Sequence, residues 1–179
     1  MKSLRPYFPI FKFVAVFAGI YLLLSLLYYF YLQQDWNAYH FPDPVTAQIS
    51  HQTKLGLEVF GYEVRAINTP DLPSVTIFMD EQAVFRVIEG CNAVSVMILF
   101  VSFVLAFAKA WQKTLLFLLI GIGLIYLVNL VRLVLLGMIY KEYPLYAHQA
   151  HELAFPAVIY GSVILLWIYW IKKPKVDET

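Results

Sequence analysis

Apolar residues in this chain gather into four long blocks, and the stretches between them carry different patterns. Residues 14–32, 91–108, 114–140 and 153–171 are almost continuously apolar. A helix needs roughly 20 such residues to cross a bilayer core of about 30 Å. The second block is short for a span. The third is longer than required, which predicts tilt or projection beyond the membrane. Between the first two blocks the pattern changes. At "DPVT", Asp43 is placed to cap a helix and Pro44 to open it. Val45, Ile49, Val59 and Phe60 then suit a short amphipathic helix ending at Gly61. After it, "YEVRAI", "SVTIF" and "AVFRVI" are rich in β-branched and aromatic residues, and the last two, separated by "MDEQ", read as a hairpin.

The fold class predicted is an all-α polytopic membrane protein. It has four transmembrane helices and a small extracytoplasmic α+β insertion between spans one and two. Residues 1–32 form the N-terminus and first anchor, 33–90 the insertion, 91–171 a three-span core and 172–179 a basic tail. The first block is too long for a signal peptide, and no small-x-small site follows "YYFYLQQDW". It is read as an uncleaved anchor.

Composition agrees: 61% of residues are hydrophobic and 14% charged, against roughly 45–50% and 25% in soluble domains. That apolar share makes the lipid bilayer a partner, and the net charge of +1, with no basic stripe, gives no sign of nucleic acid. The distribution of charge is more informative. Lys2, Arg5 and Lys12 precede the first span, Lys109 and Lys113 lie in "KAWQK", and Lys172, Lys173 and Lys175 follow the fourth. The acids in those segments are Asp177 and Glu178; Asp35, Asp71, Asp80, Glu89 and the other acids fall on the opposite side. Lys and Arg favour the cytoplasmic side, so both termini are expected there.

Three chemically capable residues then fall at one depth. Cys91, the single cysteine, opens the second block and has no partner for a disulfide. Arg132 lies in the third block, about 27 Å along a helix from Thr114 and so near the outer boundary. Asn129 precedes it by three residues, on nearly the same face. His151 stands just before the fourth block, and His148 one turn earlier. Each has an ordinary explanation: a small buried hydrophobe, a snorkelling cation, a solvated loop histidine. Their meeting at one level is not what those explanations predict, and an ionisable residue within a span usually marks function. A cation beside a thiol favours the nucleophilic thiolate. Arginine, never a base, can hold the charge of an oxyanion. Histidine moves protons near neutral pH. Together they describe acyl transfer through a thioester. Two other readings stand beside this one: a metal site built on "HQAH" with Glu142 or Glu152, and a non-catalytic assembly partner of an export or surface-polymer system in which Asn129 and Arg132 bond between helices.

The pieces "EGCNA" around Cys91, "NLVR" from Asn129 to Arg132 and "HE" at His151 resemble, in order and spacing, the exosortase/archaeosortase membrane transpeptidases. The resemblance covers roughly residues 86–170. It implies cleavage of C-terminal sorting signals (a motif, an apolar helix and a basic tail) on exported proteins at the outer membrane face. It implies Cys91, Arg132 and His151 as catalytic residues, with Asn129, Asn92, His148 and Glu152 binding substrate or supporting, and neither cofactor nor metal. Two departures accompany it. Ala93 stands where glycine is usual, and four spans make this a compact variant.

Overall fold

The computed structural model describes residues 7–34, 42–69, 72–108 and 110–172. Of the charges used above for orientation, Lys2, Arg5, Asp35, Asp71, Lys109, Lys173, Lys175, Asp177 and Glu178 lie outside the described residues. Helix α1 (Phe8–Leu32) is followed by α2 (Pro44–Val59) and an antiparallel meander of β1 (Val64–Asn68), β2 (Ser74–Met79) and β3 (Gln82–Ile88). A 3₁₀ turn (Glu89–Cys91) leads into α3 (Val94–Ala106), then α4 (Trp111–Glu142) and α5 (Pro144–Gln149). A π turn (Ala150–Ala154) joins α5 to α6 (Phe155–Lys172).

Among the described residues, three helices are long and apolar enough to cross a membrane: Phe8–Leu32, Trp111–Glu142 and the combined Pro144–Lys172. The second block of the sequence yields only the 13 residues of α3. Its helix starts at Val94 rather than Cys91 because Ala93 has a left-handed backbone, φ 63°, which no α-helix can contain.

Two cores divide the molecule. The first, a cap, is built from Ile49 and Leu57 of α2, Val75, Ile77 and Val87 of the sheet, and Leu133 and Val134 of α4. The second lies among the apolar helices and contains Phe100, Val104, Phe117, Ile125, Ile159, Val163 and Trp170. Cys91 packs against the first core, and Ala93, two residues on, belongs to the second. Helix α4 serves both. At about 1.5 Å per residue its 32 residues rise about 48 Å, so the turns after Arg132 stand in the cap. There Tyr140 stacks on Phe85 at 6.2 Å and Lys141 reaches Asp80 at 3.1 Å.

Close approach of helices rests on missing side chains. A β-carbon at Gly56 would lie 2.6 Å from Val134, and one at Gly121 would overlap the Phe100 ring. Small residues let backbones approach in this way. The hairpin at "MDEQ" forms with Asp80 and Glu81 both at positive φ, 49° and 67°, the two-residue turn that matches strand twist.

Helix α2 starts as expected. Asp43 accepts from the backbone N–H groups of Val45 and Thr46, and Pro44 takes the first position. Its buried face is not the expected one. Val59 and Phe60 are exposed, and the helix buries Thr46, Ile49, Ser50, Thr53 and Leu57. The hydroxyls of Ser50 and Thr53 donate to the carbonyls of Thr46 and Ile49 one turn back, so they enter the core already satisfied.

Candidate functional site

The turn that carries Cys91 is held from two sides. On the first, Asn92 is 1% exposed, and its side chain makes three bonds. Its Oδ1 accepts from Val94 N at 2.9 Å, fixing the left-handed step through Ala93. Its Nδ2 donates to the Tyr28 hydroxyl at 2.9 Å and to Thr46 Oγ1 at 3.0 Å. Thr46 in turn donates to Asp43 Oδ2, and Tyr31 donates to Asp43 Oδ1 at 3.2 Å. Thr46 and Asp43 are as buried as Asn92. The network ties α1, α2 and the Cys91 turn together where no water competes for the bonds.

On the second side stands α4. Asn129 is fully buried, and its Nδ2 donates to the Cys91 carbonyl at 2.8 Å. Its Oδ1 accepts from Arg132 Nη1 at 3.2 Å. One amide thus links the cysteine backbone to the cation. Arg132 is half-buried, has no carboxylate within salt-bridge reach among the described residues, and keeps a buried Nε–H without a partner there. A guanidinium with spare donors and no neutralising acid is suited to receive an anion. Asn129 sits about 27 Å along α4 from Trp111, close to where a span of that helix would end.

These bonds reach Cys91 through its carbonyl. The thiol is half-exposed and makes no hydrogen bond among the described residues. His151 lies in the π turn, which packs on α4, and is half-buried with no hydrogen bond or ion pair among the described residues. His148 and Glu152, expected as substrate-binding or supporting residues, pair with each other at 3.2 Å, both largely exposed. Their i, i+4 spacing puts them on one face, whereas His151 adjoins Glu152 in sequence and points elsewhere. Among the described residues no three His, Cys, Asp or Glu side chains gather as a metal-binding group. Glu89, which begins the 3₁₀ turn, has its carboxyl pushed above the usual range by burial and by the Asp43 carboxylate.

Sequence reading named Asn92, Asn129 and Arg132, which are bonded around the Cys91 turn, but did not name Thr46, Tyr28 or Tyr31, and took Asp43 only as a cap. The "DPVT" capping motif was the one available signal, since it puts Thr46 on the Asp43 carboxylate. The contacts that join the network span 46 and 64 residues, a separation that local pattern does not encode.

No curated protein and no solved structure matches the chain. The family model described as transmembrane exosortase (Exosortase_EpsH) matches residues 6–171, from the start of α1 to the end of α6. That match takes in both halves of the bonded turn and the π turn, and by it the chain belongs to the transmembrane exosortase family.

Proposed function

We propose that the protein is a membrane-embedded cysteine transpeptidase or protease that cleaves C-terminal sorting signals of exported proteins. The observation that carries this reading is the bonded path from the Cys91 carbonyl through Asn129 to Arg132. A packing cysteine has no need of a buried amide that also holds an unneutralised cation. The Cys91 sulfur attacks the scissile carbonyl carbon, and Arg132 stabilises the oxyanion with its free donors. His151 takes the thiol proton as the sulfur attacks and passes it to the departing amine, the tail leaves, and a thioester remains on Cys91. An acceptor nucleophile, or water, then attacks the thioester and regenerates the thiol. The position of His151 supports its role, because π turns within helices occur frequently at functional sites.

In this reading both termini face the cytoplasm, α3 is the second of four spans, and the cap and reactive turn lie at the outer face of the cell membrane. The substrate carries a motif, an apolar helix and a basic tail; no cofactor takes part.

Processing of such a tailed protein in cells, followed over time with immunoblots for abundance, tests the proposal. Cys91→Ala and Cys91→Ser should abolish cleavage at normal protein level. Arg132→Lys should fail because an ammonium cannot reproduce a planar fork of donors. His151→Ala should cost roughly 10²–10⁴ in rate. Normal cleavage by both Cys91 variants would end the catalytic reading.

A further inference from the structure

A cavity of about 390 Å³ opens on the sheet immediately before Cys91. This is within the range of pockets that hold small ligands and peptide segments. Residues 72–74 and 88–90 line the cavity together with Arg86. Ser74 pairs with Ile88 and Thr76 with Arg86 across the hairpin. These side chains therefore share the face opposite Val75 and Val87, which point into the cap core. The Gly90 edge is one residue from Cys91, about 3.8 Å along the chain.

The lining has a chemistry of its own. Ser74 is 2% exposed, and its backbone is fully used: its N–H donates to Leu72 and its carbonyl accepts from Thr69. Its hydroxyl is buried without a partner among the described residues. A buried hydroxyl left in that state is destabilising, and turning toward the cavity to bond a ligand would recover the loss. Arg86 is exposed and forms no ion pair among the described residues. Glu89 supplies an acceptor, and Leu72, Pro73 and Ile88 supply exposed apolar surface. Among the described residues that line it, one cation, one acid and a hydroxyl above an apolar rim carry no net charge. The cavity does not select a charged ligand; it offers donors, an acceptor and a greasy wall, the complement of an uncharged stretch of polypeptide.

We infer that this cavity is a peptide subsite. It receives the residues of the exported substrate next to the scissile bond, with a backbone carbonyl toward Arg86, an N–H toward Glu89, a polar group on Ser74 Oγ and an apolar side chain against Leu72 and Ile88. The inference rests on the cysteine transpeptidase reading, because only that reading requires a peptide to lie across Cys91. Lipid headgroups share some of this chemistry, but they do not need a site that opens one residue from the thiol.

The test uses the full chain in detergent micelles. Its probe is a reporter protein fused to the C-terminal tail of an exported protein from the same organism, one that ends in an apolar helix and basic residues. Ser74→Ala and Arg86→Ala each delete a binding group from positions that hold no other side-chain bond, so the fold is kept. Each should raise KM about tenfold with kcat within about twofold, as loss of uniform binding does. A photo-crosslinking residue at position 72 in the Cys91→Ala chain should form an adduct with the reporter. The same residue at position 59, exposed at the far end of α2, should form none. Unchanged KM in both variants, or a fall in kcat alone, overturns the subsite while loss of cleavage in Cys91→Ala still stands. An adduct with lipid alone at position 72 overturns it too. If the Cys91 variants cleave normally, the transpeptidase reading fails, and crosslinking at position 72 still decides whether a peptide occupies the cavity.

Discussion

Thr46→Val exchanges a hydroxyl for a methyl group at nearly constant volume, at a position with no exposure to solvent. In the native chain that hydroxyl donates to Asp43 Oδ2 and accepts from Asn92 Nδ2. The substitution leaves one carboxylate oxygen and one amide N–H buried without those partners. Each orphaned group costs about 1–3 kcal/mol, so the pair costs about 2–6 kcal/mol. For a chain of this length each kcal/mol moves the melting temperature by about 2–4 °C, which makes the expected fall roughly 5–20 °C. Thr46→Ser keeps both bonds and gives up one methyl group, worth about 0.8 kcal/mol in transfer alone. It should stay within a few degrees of the native chain. Near-UV circular dichroism of the purified protein in detergent reads all three melts, since the cap and the helix core are rich in aromatic contacts. Because Asn92 anchors the turn that carries Cys91, the valine variant should also process substrate poorly below its melting temperature, and the serine variant should not. If valine and serine variants melt together with the native chain, the network contributes nothing and its role in fixing the turn is wrong.

Three further outcomes follow from the same structure. Ala93→Gly relieves the positive φ of 63° by about 1 kcal/mol but removes a methyl buried in the second core, worth about 0.8 kcal/mol, so the melting temperature should stay within about 2 °C of the native chain. Gly121→Val should destabilise by about 1–3 kcal/mol through overlap with Phe100, and a second change, Phe100→Leu, should recover part of the loss in the same melts. The third concerns acid. Lys141 holds the Asp80 carboxyl below its usual range, so the bridge adds stability above the unfolded pKa of about 3.9. That contribution disappears as pH falls through the lower folded value. Lys141→Met should therefore flatten the pH dependence of unfolding below about pH 4 and leave the dependence above it unchanged.

Much of this architecture was legible because it is local. Continuous apolar runs set α1, α4 and α6, "DPVT" set the start of α2, and "MDEQ" set the hairpin. The errors have physical reasons. Val59 and Phe60 read as core because their type is apolar, yet the face that α2 buries sets Ile49 and Leu57 among hydroxyls, two of them bonded to their own helix. The second apolar block read as helix from Cys91 because periodicity cannot detect the left-handed backbone of Ala93. The glycine usual at that position in the resemblance was the clue. For the site, Asn129 and Arg132 were found because spacing on one helix determines that they meet. Thr46 and Tyr28 were missed because their partner, Asn92, comes from another part of the chain. Glu152 was read as a support for His151, and the contact it makes in the structure is an ion pair with His148 one helical turn away.

The 13 residues of α3 have a consequence for the lipid. Such a helix rises about 20 Å, about 10 Å less than an average hydrocarbon layer. With α3 as the second span, the bilayer must thin around it or the Cys91 turn must sink beneath the headgroups, at a cost of fractions of a kcal/mol per Å. On the proposed reading, acyl-chain length then sets how deep the thiol lies and how far a substrate's tail helix must rise to present its scissile bond. Short-chain lipids lift the turn to the aqueous surface, and long-chain lipids submerge it. Membrane thickness would thus tune the enzyme without any ligand binding to it.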